Sequence, residues 1–482
     1  MSDSQAEPLP ERAHTKIIAT IGPASEDRLE ELIRAGMSVA RLNFSHGTKE
    51  DHARRVEKIR AMARDLKTPV GILADLPGPK MRTADFPGGS VVLVEDQVVK
   101  VRRGKGVAAE GEVLVDVKNL TVAVQPGHRI LIADGLVELV AIEGDKDGVT
   151  ARVRRPGKVS NHKGVHLPDS EVDYDLPTDE DKDLIAFAVE QGIDMLGISF
   201  VGHASEVEAI RKMAPDALLV AKIERLTALE NLDELLAAAD GVMVARGDLG
   251  VELELEQLPI AQKSIISASL RAGNFTITAT EMLESMIEST RPTRAEVTDV
   301  ANAVLDGTDA IMLSAETAVG KHPVEAVATM TRIASAVEHS QRYHDLPRLS
   351  FRTGESTFSN ATAMAAVQVA EALGAKMIVC FTETGNTVRL ISRYRPNSQI
   401  IALSPRIETV RAVTVLANVR PILFRREPSL EDMLYMAAEM LVVRGLAEYG
   451  DETVMVAGVP PGVARSTNVM KLHRIGEKVK LH

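Results

Sequence analysis

Residues 194–224 read DMLGISFVGHASEVEAIRKMAPDALLVAKIE. DMLGISF is short, apolar and β-prone, Ser205–Met213 repeats its apolar residues at helical spacing, and LLVAKIE is a second run of strand length. Two such runs joined by a helix make a parallel βαβ unit, because parallel strands need a crossover. Outward in both directions the alternation continues. Upstream lie KIIAT, SVARLNF and VGILAD with helices between them; downstream lie GVMVARGD, FTITAT and AIMLSAE, each followed by a helical stretch. Ser25 is expected to cap the first helix, with Glu26 and Asp27 in its first turn. Three strands before residue 85 and five after 167 are the number a (β/α)8 TIM barrel needs.

Between Asp85 and Lys163 the pattern changes to period-two alternation rich in Val and Gly, as in SVVLVEDQVVKV, RILIADGLVELVAIEG and GVTARVRR. Asp134-Gly135 and Asp147-Gly148 are hairpin turn signals. This predicts a small all-β module inserted after the third strand, where a barrel tolerates extra chain. From Ser359 a second α/β pattern carries the strands MIVCF, QIIAL, RPILF and TVMVAG. The expected division is an N-terminal tail at 1–13, a barrel from 14–84 and 167–345, an inserted β lid at 85–166 and a C-terminal α/β domain at 346–482.

Composition narrows the function. Lys+Arg total 56 against 68 Asp+Glu, a formal charge of -12, so no concentrated basic face for nucleic acid or acidic membrane is expected. The lone cysteine, Cys380 in an apolar run, excludes an internal disulfide and any multi-thiolate metal site, and reads as an inert core thiol. No apolar run approaches the roughly 20 residues that span a bilayer, and the polar start shows no secretory h-region. A cytoplasmic protein is expected.

Barrels place chemistry at the carboxyl ends of their strands. Those ends read Thr20, Arg41-x-Asn43-x-Ser45, Asp75, Ser199, Lys222-x-Glu224, Arg246-Gly247-Asp248, Thr280-Glu281 and Ser314-x-Glu316. Each alone is a strand end meeting water; together they border one mouth. Glu224 and Asp248, on neighbouring strands without His or Cys beside them, suit a hard divalent cation such as Mg²⁺ or Mn²⁺ rather than zinc. The alternative is a structural ion-pair set with Lys222 and Arg246. Lys222 and Glu224 share one side of their strand. Lys222 suits charge developing on a transferring phosphoryl group or an enolate, with Schiff-base formation as the competing role. Arg41 offers a planar fork for phosphate, and Gly247 lets a ligand approach the backbone.

TKIIATIGPAS, SVARLNFSHG, LADLPGPKMRT, KGVHLP, AKIE, VARGDLGVE, ATEMLESM, RPTRAEVTDVANAVLDGTDAIMLSAETAVGKHP and SRYRP, in this order, resemble the motifs of the pyruvate kinase family over nearly the whole chain. The resemblance implies phosphoryl transfer from phosphoenolpyruvate to ADP, giving pyruvate and ATP. Its site would use Arg41, Lys222 and Thr280 as catalytic residues, with Gly247 and Asp248 also touching substrate. Glu224 and Asp248 would hold Mg²⁺, and Asn43, Ser45, His46, Arg82 and Lys163 would face the nucleotide. Asp134 would belong to the closing lid. The family commonly forms homotetramers and binds phosphorylated effectors near the loop here containing Thr382, Thr384, Asn386 and Thr387. That loop also reads as a plain strand–helix turn. The later loop, Gly458–Asn468, adds Arg465 as an anion partner.

One departure stands out. Most pyruvate kinases read Asp-Thr-Lys-Gly-Pro-Glu after the third strand and use a potassium ion; here the stretch is Asp75-Leu76-Pro77-Gly78-Pro79-Lys80. The monovalent-cation slot would comprise Asn43, Ser45, Asp75 and Leu76. Lys80 is expected to substitute for the ion, the alternative being a lysine reaching solvent, so K⁺ is not expected to be required. Glu281, Ala315 and Asp169 also differ from the common glutamine, glycine and glycine. Two other classes compete: a silent effector-binding protein, which should have lost a charged centre, and a metal-dependent barrel lyase, which would not need Asn43–His46.

Overall fold

The computed structural model describes residues 13–116, 120, 124–146, 148–170, 174–346, 357–459 and 467–477. Three parallel strands open the chain: β1 (Lys16–Thr20), β2 (Met37–Asn43) and β3 (Gly71–Asp75). The insertion carries β4 (Ser90–Leu93), β5 (Val98–Arg103), β6 (Glu112–Val115), β7 (Arg129–Ile132), β8 (Val137–Asp145), β9 (Gly148–Arg155), β10 (Gly157–Ser160) and β11 (Val165–His166). Then come β12 (Met195–Ile198), β13 (Leu218–Ile223), β14 (Gly241–Ala245), β15 (Phe275–Ala279) and β16 (Ala310–Leu313). The eight barrel strands close in the order β1-β16-β15-β14-β13-β12-β3-β2. Their burial explains the continuous apolar runs: parallel barrel strands are covered on both faces.

The insertion forms a six-stranded sheet, β11-β7-β8-β9-β5-β6, beside a β10-β4 pair, around its own core of Val99, Val101, Val113, Leu139 and Val153. The C-terminal sheet orders β17 (Met377–Phe381), β18 (Gln399–Ser404), β19 (Val419–Leu423), β20 (Glu452–Gly458) and β21 (Thr467–Arg474) as β19-β18-β17-β20-β21. Interior residues at the barrel's amino end, among them Ile18, Leu73 and Met243, belong to one apolar cluster with Ala363, Val367 and Ile378 of this domain. The barrel floor is therefore sealed, and chemistry is confined to the opposite end.

Three local expectations change. Ser25 does not cap a helix: the helix is Leu29–Ala35, and Ser25 Oγ accepts from Gly22 N at 3.0 Å to close the preceding turn. Glu26 and Asp27 instead pair with Arg55 and Lys58 of the next helix at 2.9 and 2.6 Å. The run GVMVARGD is not all strand, because β14 stops at Ala245 and Arg246–Glu252 is helical. Finally, β21 is an antiparallel edge strand absent from the sequence reading; its mostly exposed or half-exposed side chains weaken the alternation signal. Asp147 of the second turn signal and Arg465 lie outside the described residues. Cys380 is fully buried, and burial pushes its thiol far up, as an inert core thiol requires. Among the described residues no helix is long and apolar enough to cross a membrane.

Candidate active site

Register sets the site. Thr20 lies opposite Arg41, and Asn43 opposite Asp75, so β1, β2 and β3 deliver their last side chains side by side. Arg41 donates from Nε and Nη2 to Asp75 Oδ2 at 2.8 and 2.6 Å and from Nη1 to Thr20 Oγ1 at 3.0 Å. Asp75 Oδ1 pairs with Lys222 Nζ at 3.0 Å. That ammonium also donates to Ser199 Oγ at 2.7 Å and pairs with Glu224 Oε1 at 2.8 Å. A continuous chain of polar contacts thus crosses five adjacent strands, from β1 to β13.

Burial raises the cost of every charge here, and the partners decide the outcome. For Lys222 burial works against the ammonium, but Asp75 and Glu224 hold it well above the ordinary lysine range. For Asp75 burial is again opposed, by Lys222 and Arg41, which keep the carboxylate ionised. Glu224 is pushed up by burial and by Asp248, against Lys222. Asp248 ends below its usual value because Lys80 and Lys222 outweigh its burial.

Asp248 reaches the mouth from the first turn of the helix after β14. Its Oδ1 accepts from Lys80 Nζ at 2.8 Å. Arg246, two residues earlier, turns away from the mouth: it donates to Thr280 O and Asp299 Oδ1, both at 2.6 Å. The expected alternative pairing of Arg246 with the carboxylates is therefore not formed, whereas that of Lys222 with Glu224 is. Held from below by Arg246, Thr280 takes φ 70°, a left-handed conformation rare outside glycine. Its Oγ1 accepts from Gly247 N at 2.8 Å. This arrangement joins Thr280, Gly247 and Asp248 into one wall.

Glu224 and Asp248 fit a hard divalent ion. Glu224 is buried and Asp248 half-buried, and they lie close enough for Asp248 to disfavour ionisation of Glu224, a repulsion that a dication relieves. No cluster of three or more His, Cys, Asp or Glu suited to a metal occurs among the described residues. A pair of carboxylates suits Mg²⁺, which keeps waters and substrate oxygens around one or two protein carboxylates.

The nucleotide-side residues are more scattered. Arg82 lines a cleft of about 900 Å³ between lid and barrel, together with Lys80, Thr83, His162 and Tyr174. Asn43, Ser45, His46 and Lys163 are not in its walls. Asn43 Oδ1 accepts from Ser45 N at 3.2 Å, and Lys163 N donates to Thr83 Oγ1 at 3.0 Å. In the monovalent slot, Leu76 O accepts from Ser199 Oγ at 2.7 Å, and Lys80 goes to Asp248 rather than to Asp75. In the C-terminal loop Thr382 Oγ1 accepts from Gly385 N, and Thr387 Oγ1 bonds Thr467 Oγ1, so both hydroxyls are engaged internally. Ser199 and Thr20 are the members whose roles the sequence reading missed. Both stood at strand ends, the one signal available.

The family of the pyruvate kinase barrel domain matches residues 12–327, and that of the pyruvate kinase alpha/beta domain matches residues 360–473. The chain belongs to the pyruvate kinase family. A pyruvate kinase of Methylorubrum extorquens is 42% identical over 461 residues, covering 95% of this chain and 96% of that protein. One from Staphylococcus epidermidis is 41% identical over 475 residues, covering 96% and 81% respectively. A crystal structure of a pyruvate kinase from Cryptosporidium parvum superposes with a TM-score of 0.88 at 35% identity, covering 97% of this chain and 98% of that one. Like its pyruvate kinase relatives, the chain is a phosphotransferase.

Proposed function

We propose that this mouth transfers the phosphoryl group of phosphoenolpyruvate to ADP, giving pyruvate and ATP, within the division 14–84 plus 167–345, 85–166 and 346–482. The observation that carries the reading is the Arg41–Asp75–Lys222–Glu224 chain closing beside Asp248. Three cations (Arg41, Lys80, Lys222) face three carboxylates (Asp75, Glu224, Asp248), so the protein neither accumulates a dication nor a polyanion alone. Metal and anionic substrate then favour each other's binding. Phosphoryl transfer needs positioning and charge neutralisation more than covalent help.

Arg41 keeps a second hydrogen on each of Nη1 and Nη2 for the phosphoryl oxygens while Asp75 fixes its plane. Lys222 stays charged between two carboxylates. A Schiff base needs a neutral amine, so the charged state favours Lys222 as stabiliser of the enolate over the aldolase-like role. Thr280 and the backbone of Gly247 border the same space and would meet the substrate carboxylate and the carbon that gains a proton. Mg²⁺ or Mn²⁺, held by Glu224 and Asp248, would supply Lewis-acid neutralisation of substrate oxygens. Asn43, Ser45, His46, Arg82 and Lys163 would receive ADP as the lid, with Asp134, closes and excludes water.

Lys80 would supply the fixed positive charge for which other members use potassium; its support is an ammonium already tethered inside the acidic cluster. The effector role of Thr382, Thr384, Asn386 and Thr387 rests on family resemblance alone, as does the homotetramer. A lactate-dehydrogenase-coupled assay with phosphoenolpyruvate, ADP and Mg²⁺ tests the whole reading. Pyruvate formation that requires ADP supports it; none, or formation without ADP, sinks it in favour of the silent protein or the lyase.

A further inference from the structure

Asp248 faces a second group to which the proposed chemistry gives no role. His166 ends β11, the short strand that pairs antiparallel with β7 through Val165↔Ile132 and His166↔Leu131. It is 3% exposed, and its Nε2 is buried without a hydrogen-bond partner. That nitrogen stands 3.7 Å from Asp248 Oδ1, too far for a hydrogen bond and near enough to become one with a small inward shift. Buried polar atoms without partners are rare, and each calls for a reason. The same Oδ1 is held by Lys80, whereas no described residue bonds Asp248 Oδ2. Gly164 allows the close approach: a Cβ there would lie 3.3 Å from Lys80 Cε and 3.6 Å from Asp134 Oδ1.

We propose that His166 is a positioning residue whose Nε2–H closes onto Asp248 Oδ1 as the lid settles, so that His166 and Lys80 together turn Oδ2 toward the divalent ion. The proposal rests on the reading that Glu224 and Asp248 hold that ion. Carboxylates that ligate metals are themselves oriented by hydrogen bonds, and loss of such a partner typically weakens metal binding about 10- to 100-fold. Lys80 belongs to the loop after β3, but His166 belongs to the lid sheet. A bond from His166 therefore makes ion affinity depend on lid position, and the bound ion in turn favours the closed lid.

The test is Mn²⁺ binding to the metal-free full chain without substrates, followed by the electron paramagnetic resonance of the free ion. His166→Ala should weaken Mn²⁺ binding about tenfold. His166→Gln, which restores an N–H donor, should recover most of the loss. A role in folding alone would lower the unfolding midpoint and leave the Mn²⁺ constant unchanged, and that result overturns the proposal. If the alanine variant does not fold, His166→Phe fills the space without a donor and is read the same way. Asp248→Asn separates the two levels. Undiminished Mn²⁺ binding there overturns the metal reading itself, whereas binding lost there but intact in the His166 variants overturns only the role of His166.

Discussion

Asp194, the residue directly before β12, accepts from Arg60 on Oδ2 at 2.8 Å and from Arg411 of the C-terminal domain on Oδ1 at 2.9 Å. Its Oδ2 also caps Ile72 N, at the start of β3, at 2.8 Å. The motif recurs: Asp240 before β14 joins Leu219 N and Arg389, and Asp309 before β16 joins Thr276 N and Arg395. Three aspartates on alternate strands thus bind the barrel floor to the C-terminal domain. Asp194→Ala strands two arginines and a strand N–H and should cost about 3–5 kcal/mol. Arg411→Ala leaves Asp194 with Arg60 and should cost closer to 1 kcal/mol. Urea unfolding of both variants gives the ranking, and equal losses would contradict it.

Lys222→Met keeps an unbranched side chain, one atom shorter, and removes its charge. Turnover should fall by at least about 10²–10³-fold, the usual cost of one preorganised stabilising donor. Glu224, already pushed up by burial, should take a proton and let the variant fold. Far-UV circular dichroism like that of the parent, with residual activity in the coupled assay above a tenth of the parent's, would contradict the assigned role.

Lys80 carries the potassium question. Two unit charges about 4 Å apart at an effective dielectric of 20 interact by about 4 kcal/mol. A potassium ion held within that distance of the Lys80 ammonium would be strongly opposed. In tetramethylammonium buffer the parent should run at its full rate without added potassium, and Lys80→Glu should become potassium-dependent. Strong potassium activation of the parent would refute the substitution.

Much of this is legible in the sequence. The barrel strands, the inserted β module and four of the five C-terminal strands follow from apolar period and run length, because those report burial directly. Lys222 and Glu224 were placed together correctly since strand alternation alone puts residues two apart on one side. Arg246 shows the limit: it sits in the same run as Asp248, yet a strand-to-helix switch at Ala245 sends it under Thr280 instead of into the mouth. The roles of Asp194, Asp240 and Asp309 are not legible in the sequence, since their C-terminal-domain arginines lie far away along the chain. The position of Lys80 on Asp248 depends on the path of a loop, which no periodicity encodes.

Glu252 gives the fold a dependence on pH. Burial pushes its carboxyl up to about 7, against the Leu226 N–H and Arg225, from an ordinary 4.5. Between those values the folded chain holds a proton that the unfolded chain has released. The contribution of Glu252 to stability is therefore greatest below 4.5 and is lost as pH rises through 7, by on the order of 3 kcal/mol at most. Glu252→Gln should flatten that slope. Denaturant midpoints from pH 5 to pH 8, in chelator so that no ion alters Asp248, would show it. An unchanged slope in the variant would place the titration elsewhere.

Gly247 separates substrate contact from stability. It lies within the helix Arg246–Glu252, where alanine is the better helix former by about 0.5–1 kcal/mol. A Cβ at this position meets nothing nearer than Thr280 Oγ1 at 3.6 Å, an ordinary contact. Gly247→Ala should therefore leave the unfolding midpoint unchanged or slightly raised. The added methyl would stand where the substrate carboxylate is proposed to meet the backbone, so KM for phosphoenolpyruvate should rise several-fold while KM for ADP stays put. Steady-state kinetics with each substrate varied in turn reads the difference. A rise shared by both substrates would mean that the wall of Gly247, Thr280 and Asp248 had shifted as a whole.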